Sequence, residues 1–281
     1  MRTIGLFLLL WISGMIGLKA NPLQAADSLV LKDFWSYARV RNLAHLPVHE
    51  RIPLIGIFFL ERPYRAGTLE GKLQEELIVN LRELDCVTFV ENTLALAFLD
   101  VYEESAIPLF IDNLRKIRYR DGKIDGYASR LHYSGDWLYE MQRQGYLKDI
   151  TRECGGIDYP LNIFFMTKNY FRYPAFLRDS LLIPQMKQIE ESICKRTYFY
   201  IPKNTIEEIQ DNIQSGDIIL ITTGIKGLDT SHVGIAVKKG DKVYLLHASS
   251  SMGKVILSKL PLSAYMKKIP SQTGIMIGRV L

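Results

Sequence analysis

The feature that most constrains the fold of this chain is a period-two alternation in its last quarter. Apolar residues alternate with small or polar ones through residues 231–237 (SHVGIAV), and a tight turn leads into a second such run. Alternation of this kind between Gly- and Asp-containing turns is typical of antiparallel strands. We therefore predict an antiparallel meander, with strands at residues 218–222, 231–237, 243–248, 255–257 and 275–280.

The hairpin in this meander places two histidines together. A two-residue turn at 239–240 sets His232 opposite His247, and a turn at 240–241 slides the pairing by two residues. Both registers leave the two imidazoles on one face of the sheet, because the side-chain period of a strand is two.

The two faces of the second strand differ in bulk. Gly234 and Ala236 follow His232 on one face and leave room for a helix, whereas Val233 and Ile235 occupy the other. We therefore predict that a helix packs on the His232 face.

Two histidines on one face of a sheet can be interpreted in two ways. They are either polar residues beside solvent, or two ligands of a zinc ion completed by Asp229 or Cys86. No CxxC or HExxH spacing supports a metal site.

Upstream, residues 83–94 (ELDCVTFVENTL) predict a helix that begins at a cysteine. Asp85 precedes an apolar-periodic run and has the character of an N-cap. Cys86 then lies in the first turn, where free backbone N–H groups and the helix dipole favour a thiolate over a thiol. A cysteine there is either a small core residue, as most free cysteines are, or a nucleophile.

The region before the meander is predicted to be largely helical. Helices are expected at residues 29–41, 52–60 and 107–117, with Pro53 in the first turn of the second. Ser134 is expected to cap a further helix that runs to Gln144.

A cluster at residues 129–137 (SRLHYSGDW) is rich in side chains that bind polar ligands. The alternative is a capped helix start with an Arg–Asp ion pair and no role in binding.

The first 26 residues have the pattern of a signal peptide. Arg2 supplies the charged start, residues 4–18 the apolar stretch, and Ala25 or Ala26 the cleavage point. The alternative is an uncleaved anchor, but the apolar stretch is shorter than the roughly 20 residues of a membrane span. We therefore expect a bacterial protein that is periplasmic or secreted.

The charge and length of the remaining chain limit its possible partners and its domain organisation. Removing residues 1–26 leaves 33 basic and 30 acidic residues, a formal charge of +3. This mild basicity suits an anionic polymer such as cell wall and lacks the basic footprint of a nucleic-acid-binding protein. Residues 27–281 are long enough for one domain with an insertion, which we place at about residues 105–210.

The cysteine count is odd. Cys86, Cys154 and Cys194 leave one thiol over in an oxidising compartment. Either Cys154 and Cys194 form a disulfide, or all three are free.

Four motifs together resemble those of NlpC-like cell-wall cysteine peptidases, and they occur in that family's order. They are DCVTFV at 85–90, SGDII at 215–219, SHVGI at 231–235 and LHA at 246–248, preceded by PYRAG at 63–67. The resemblance implies an α+β, papain-like NlpC-type fold. In such a fold a helical N-terminal half carries the cysteine at a helix N-terminus, packed on an antiparallel sheet or barrel from the C-terminal half.

The chain departs from the commonest family pattern, because Val87 and Thr88 stand where Ser-Gly usually follows the cysteine. With the segments at 64–69, 130–133 and 246–249, it resembles a narrower branch of N-acetylmuramoyl-L-alanine amidases. This departure argues against the more familiar specificity for the γ-D-glutamyl–diaminopimelate bond.

The resemblance also implies residue roles. Cys86 would be the nucleophile, His232 the base and then the acid, and His247 the residue that orients His232. Asp229 and Ser249 are the next candidates for the orienting role. Substrate-binding roles are implied for Tyr64, Asp85, Arg130, His132, Tyr133 and Ser231.

Three functions follow from these observations. The first is an amidase that acts on peptidoglycan or muropeptides, the second an endopeptidase of the stem peptide, and the third a wall-binding module without catalysis. No cofactor or metal, no nucleic-acid partner and no membrane insertion after signal cleavage is expected. The oligomeric state is left open.

Overall fold

The computed structural model describes residues 22–281, so nearly all of the predicted signal peptide lies outside the described residues. The first helix begins at Ala25, beside the expected cleavage point. Asp27 is buried and accepts hydrogen bonds from the backbone N–H of Leu81 at 2.8 Å and from Arg82 Nε at 3.2 Å. No helix within residues 22–281 has both the length and the apolar character of a membrane span.

Helices dominate the first two thirds of the described chain, and strands dominate the last third. The helices are α1 Ala25–Val40, α2 Val48–Phe58, α3 Cys86–Ala97, α4 Ile107–Arg118, α5 Ser134–Arg143, α6 Phe165–Lys168, α7 Pro174–Arg178, α8 Leu182–Cys194 and α9 Leu262–Lys267. The strands are β1 Leu147–Asp149, β2 Ile157–Asp158, β3 Phe199–Pro202, β4 Ile218–Thr223, β5 Thr230–Lys239, β6 Lys242–Ser249, β7 Lys254–Pro261 and β8 Gln272–Val280.

The strands form one antiparallel sheet in the order β2-β3-β8-β4-β5-β6-β7, with β1 also paired to β8. The predicted α+β class and all five predicted strands are confirmed. The β5–β6 hairpin pairs Ile235 with Leu246 and Lys239 with Lys242, which places the turn at Gly240 and Asp241. This is the second of the two predicted registers, and Gly240 adopts the positive φ of 60° that the turn requires.

Helices α2 and α3 pack on the opposite face from the one predicted. They lie against Ile235 and Leu246: a Cβ on Gly56 of α2 would stand 2.7 Å from Leu246 Cδ2 and 3.5 Å from Ile235 Cδ1. The prediction is wrong because large β-branched and leucine side chains bury more apolar area against a helix than Gly234 and Ala236 can. The His232 face carries a second core, which includes Ala236 and residues of α9.

Residues 105–210 are more than a helical insertion. They contribute α4 to α8 but also β1, β2 and β3, and both β1 and β3 pair with β8. The helical pattern alone could not reveal these strands, because they are only two to four residues long.

Helix α2 begins one turn earlier than predicted, so Pro53 lies inside the helix rather than in its first turn. The missing N–H of a proline leaves the carbonyl oxygen four residues earlier, that of His49, without its helical partner. Gly216, with a φ of 95°, passes so close that a Cβ there would clash with this oxygen.

The disulfide alternative is contradicted. Cys154 is buried in the second core and Cys194 ends α8, and both are free thiols, as is Cys86. The Cys194 sulfur instead accepts a hydrogen bond from the backbone N–H of Ile163 at 3.1 Å.

Candidate active site

The start of α3 is fixed by a reciprocal capping box. The Asp85 carboxylate accepts a hydrogen bond from the Thr88 backbone N–H at 2.8 Å, and the Asp85 N–H donates to Thr88 Oγ1 at 2.9 Å. A side-chain cap of this kind stabilises a helix by about 1 kcal/mol. It holds Cys86, the first residue of the helix, in one backbone conformation. Asp85 therefore acts on the site through its position as the N-cap.

The Cys86 sulfur is protonated at rest, contrary to the expectation of a thiolate. Burial, and after it the neighbouring Asp85 charge, raise the pKa of Cys86 to about 12. The backbone N–H groups of Val233, Cys86 and Val87 lower the pKa, but their effect is smaller than that of burial. A nucleophile in this environment needs a base to remove its proton as it attacks.

Val233, whose backbone N–H faces this thiol, follows His232, which is one of a pair of imidazoles. His232 Nε2 and His247 Nδ1 are 2.6 Å apart, and the rings are nearly perpendicular at 86°. The prediction that both histidines share a face is confirmed. Burial lowers the pKa of His232 to about 4, and burial followed by the His232 charge lowers the pKa of His247 to about 3. Both rings are therefore neutral at pH 7.

The predicted hydrogen bond between Cys86 and His232 is not made. Among the hydrogen bonds of the described residues, His232 bonds to His247, and the Cys86 sulfur faces the backbone N–H of Val233, the next residue along β5. The contact with His247 uses His232 Nε2, which leaves Nδ1 for the sulfur side. Catalytic hydrogen bonds are often long without substrate and tighten when it binds.

Tyr64 lies beside the start of α3, as predicted. Its backbone N–H donates to Gly253 O at 2.8 Å, and its backbone forms a bridge with Leu84. Burial, and then the charges of Cys86 and Asp85, raise the pKa of Tyr64, which places its phenol near the thiol.

Ser231 is exposed at the start of β5. The β4–β5 register shifts between Ile221 and Thr222, opposite this residue, so Ser231 is the extra residue of a bulge. A bulge at this point re-aims the side chains that follow it, and the next side chain is His232.

Tyr265 of α9 is a neighbour of the site that the sequence did not suggest. Its ring meets His247 at 69° with centroids 5.5 Å apart. Burial, then the charge of Cys86, raises the pKa of Tyr265. His247 Nε2 is buried without a hydrogen-bond partner in the described part of the chain and lies on this neighbour's side of the His pair. A six-residue helix far from every motif gave no signal in the sequence.

The Arg130 guanidinium is occupied by carboxylates. Nη2 donates to Glu70 Oε1 at 2.8 Å, Nε lies 3.4 Å from Glu75 Oε1, and the group stands over the Tyr127 ring. The predicted Arg–Asp pair in this cluster exists, but its arginines are Arg120 and Arg196, both bonded to Asp136. Arg130 therefore ties the segment before α3 to the rest of the protein, and its predicted contact with substrate stays a prediction.

Tyr133 is buried, and its hydroxyl donates to Glu190 Oε1 at 2.6 Å and accepts from the Met166 N–H at 2.9 Å. The side chain is only 2% exposed, and its hydroxyl is bonded on both sides, so the structure shows a packing role for Tyr133 and its predicted contact with substrate stays a prediction. It also occupies the N-cap position of α5. Ser134, predicted as that cap, is the first helical residue, and its Oγ accepts from Thr230 Oγ1 at 2.7 Å.

His132 lies between Tyr127 and a cavity. Its Nε2 donates to Tyr127 O at 2.9 Å, and its ring packs on the Tyr127 ring with centroids 4.5 Å apart. The cavity beyond it adjoins Val87, the residue after Cys86. His132 is thus one of four members of the 129–137 cluster that line this cavity, with Leu131, Ser134 and Trp137.

The other candidates for the orienting role are engaged elsewhere. Asp229 Oδ2 accepts from the Gly135 N–H at 2.6 Å, and Asp229 Oδ1 accepts from the Thr230 N–H at 2.7 Å. Ser249 bonds to Ser251 and Met252. Within the described residues, no three His, Cys, Asp or Glu side chains come together as a metal-ligand set, so the zinc alternative lacks its third ligand.

The sequence profile of the AmiA-like family, described as N-acetylmuramoyl-L-alanine amidase-like, matches residues 54–275. A search of curated proteins found no match.

Solved structures similar to this one include proteins from Bacteroides uniformis, Bacteroides fragilis and Legionella pneumophila. An N-acetylmuramoyl-L-alanine amidase from Bacteroides uniformis is 41% identical, with a TM-score of 0.79, over 83% of this chain and 99% of that one. A Bacteroides fragilis protein provisionally named a xylanase is also 41% identical, with a TM-score of 0.76, over 80% of this chain and 99% of that one.

A Legionella pneumophila protein shares the fold at 23% identity, with a TM-score of 0.63, over 90% of this chain and 97% of that one. The profile match covers most of the chain, and the two Bacteroides proteins are 41% identical to it over at least 80% of its length. The chain belongs to the AmiA-like family, the N-acetylmuramoyl-L-alanine amidase-like proteins.

Proposed function

We propose that this protein is an exported cysteine amidase that hydrolyses the amide bond between N-acetylmuramic acid and L-alanine in peptidoglycan fragments. The observation that carries the proposal is the His232–His247 contact of 2.6 Å beside a thiol at a capped helix start. Family membership supports the bond, because the family and a 41% identical relative are both named for it. Export rests on the signal-peptide pattern of residues 1–26.

In the proposed reaction the Cys86 sulfur attacks the lactyl carbonyl carbon of the muramoyl group. His232 Nδ1 removes the thiol proton during the attack and then delivers it to the leaving amine of L-alanine. Backbone N–H groups at the start of α3 hold the negative oxygen of the tetrahedral intermediate. Water, deprotonated by His232, then cleaves the thioester and releases the free sugar acid.

His247 has the orienting role in this scheme. Its Nδ1 lies 2.6 Å from His232 Nε2. In the tautomer that the proposed reaction needs, His232 Nε2 donates to His247 Nδ1, and His232 Nδ1 is free to act as the base. When His232 becomes charged, the contact with a buried neutral imidazole stabilises that charge.

The name xylanase given to one relative does not fit these residues. Glycosidases use a pair of free carboxylic groups on either side of the bond. The carboxylates nearest Cys86 are committed: Asp85 caps α3, and Glu91 is bonded to Arg118 Nε at 2.8 Å in a buried ion pair.

The test is product analysis by mass spectrometry. The chain without residues 1–26 is incubated with an N-acetylmuramoyl peptide and with the same peptide lacking sugar, and Cys86→Ala serves as the inactive control. We expect free N-acetylmuramic acid and a peptide that begins with alanine from the first substrate only. Release of an alanine–glutamate dipeptide from the sugar-free peptide would show the endopeptidase instead. Absence of any product would support a binding module.

A further inference from the structure

A small cavity opens beside Cys86, between the first turn of α3, the start of α5 and the adjoining strand β5. Nine residues line it. Val87 and Val90 of α3 line one side, Val233 the second, and His132 and Ser134 the third. Val87 follows Cys86 in the chain, and the backbone N–H of Val233 faces the Cys86 sulfur, so two of the lining residues are neighbours of the thiol.

Two polar groups in the walls have opposite hydrogen-bonding characters. His132 Nε2 faces a carbonyl oxygen, that of Tyr127, so it must be the protonated nitrogen, and Nδ1 is left as an acceptor. Burial, followed by the Arg130 charge, lowers the pKa of His132 to about 3, so the ring stays neutral at pH 7. The Ser134 hydroxyl accepts a hydrogen bond from Thr230 Oγ1, which leaves its own proton free to donate.

The rest of the wall holds one charged side chain and otherwise apolar ones. Glu91, the one carboxylate in the wall, is bonded to Arg118. The remaining lining is apolar and includes Leu131 and Trp137. The cavity therefore fits a small group with one donor, one acceptor and an apolar end.

We propose that this cavity binds the acetamido group of the muramoyl residue, with its N–H donated to His132 Nδ1, its carbonyl oxygen accepting from Ser134, and its methyl group packed against Val87, Val90 and Val233. This inference rests on the proposed function. In a muramoyl residue the acetamido carbon neighbours the carbon that carries the lactyl ether. Occupancy of the cavity would therefore bring the lactyl carbonyl to the sulfur.

A site that hydrogen-bonds specific polar groups discriminates strongly against substrates that lack them, because its own groups are then left unpaired. The cavity would thus explain a preference for N-acetylated sugar over the free amine. It would also assign that preference to two residues that take no part in the chemistry.

The experiment compares kcat/KM on a muramoyl peptide and on its de-N-acetylated counterpart, for the unmodified sequence, Ser134→Ala and Ser36→Ala. Ser36 is an exposed helical serine in α1, remote from the site, and is the matched control. We expect the unmodified protein to prefer the acetylated substrate by at least about tenfold. Ser134→Ala should lose most of that preference, and Ser36→Ala should keep it.

Equal kcat/KM values on the two substrates in the unmodified protein would overturn the proposal, and this comparison needs no variant to fold. A preference that survives intact in a folded Ser134→Ala protein would also overturn it. In both cases cleavage of the muramoyl–alanine bond leaves the proposed function standing. Failure to cleave that bond in either substrate would instead refute the proposed function itself.

Discussion

At the scale of single residues, the site combines a thiol with a high pKa and a base with a low one. Burial is the first cause of both shifts: it raises the pKa of Cys86 to about 12 and lowers the pKa of His232 to about 4. The resting state is therefore a neutral thiol beside a neutral imidazole. In the proposed reaction, a proton transfer during attack, rather than a pre-formed ion pair, is therefore the first step.

This gives a pH dependence that differs from that of an ordinary histidine base. His232 with a lowered pKa stays unprotonated, and so competent as a base, down to about pH 4. On the alkaline side Cys86 stays protonated up to about pH 12. We expect kcat/KM to be nearly flat from pH 6 to 8, with an acid limb well below the usual histidine value of about 6.5. An acid limb near pH 6.5 in the pH profile of kcat/KM would contradict a lowered pKa of His232.

Tyr265 gives a second prediction at this scale. Its ring packs on His247, so removing the ring frees His247 to turn away from His232. Tyr265→Leu should lower kcat by up to about tenfold, in line with an aromatic contact of about 1.5 kcal/mol, while KM changes little. Tyr265→Phe keeps the ring and is the matched control. Equal loss in both variants would assign the effect to the hydroxyl.

The residues that the sequence identified correctly are those whose neighbours along the chain fix them. Asp85 and Cys86 follow from capping rules, and the shared face of His232 and His247 follows from strand periodicity. The sequence did not show that Arg130 and Tyr133 are bonded inside the protein, because their partners, Glu70, Glu75 and Glu190, lie 55 or more residues away. The reason is physical: burial and long-range pairing decide whether a polar group is free, and local sequence reports neither.

At the scale of elements, the sheet decides where the helices lie. The helices pack on the bulky face of β5, and the small residues of the other face allow close contact within the sheet. A Cβ on Gly234 would stand 2.8 Å from Leu245 Cδ1, 2.9 Å from Leu246 O and 3.1 Å from His247 Cβ. The sequence indicated that another element approaches Gly234 closely, but it did not show which element that is. Strand partners fill it, and a helix does not.

Gly234→Ala should therefore destabilise the protein and disturb the histidine pair. Overpacking of this kind costs about 1 to 3 kcal/mol, because a backbone oxygen cannot move aside as a side chain can. The measurement is urea unfolding together with kcat/KM. Gly224→Ala, where the nearest atom would be 3.7 Å away, is the control and should change neither. Equal effects in the two variants would contradict this account of the β5–β6 contact.

At the scale of the whole molecule, the segment before α3 is held by residues from far along the chain. Arg130 pairs with Glu70 and Glu75, Tyr119 Oη donates to Glu75 Oε1 at 2.8 Å, and Arg118 Nη1 donates to Ile78 O at 2.6 Å. These contacts link residues 70–78 to the end of α4 and the loop after it. The position of Cys86 therefore depends on the segment at 105–210 as well as on the sheet.

Arg130→Met should act on stability more than on substrate affinity. Removing one partner of a buried ion pair leaves its carboxylates uncompensated, at a cost of about 3 to 5 kcal/mol. We expect a lower midpoint of unfolding in urea. Under conditions where the protein stays folded, KM should stay within about twofold of the original, because the Arg130 guanidinium pairs with Glu70 and Glu75 inside the protein. A large rise in KM without loss of stability would return Arg130 to the substrate-binding role that the sequence suggested.

The measurement that tests the central claim most directly is the intact mass of the enzyme in a reaction quenched with acid during turnover of an N-acetylmuramoyl peptide. The attack proposed for Cys86 forms a thioester, and the acyl group on the sulfur identifies the bond that was cut. We predict an adduct with the mass of N-acetylmuramoyl, mapped to Cys86 by peptide sequencing and absent from Cys86→Ala. An alanyl-glutamyl adduct on Cys86, or turnover by Cys86→Ala with no adduct, would contradict the account.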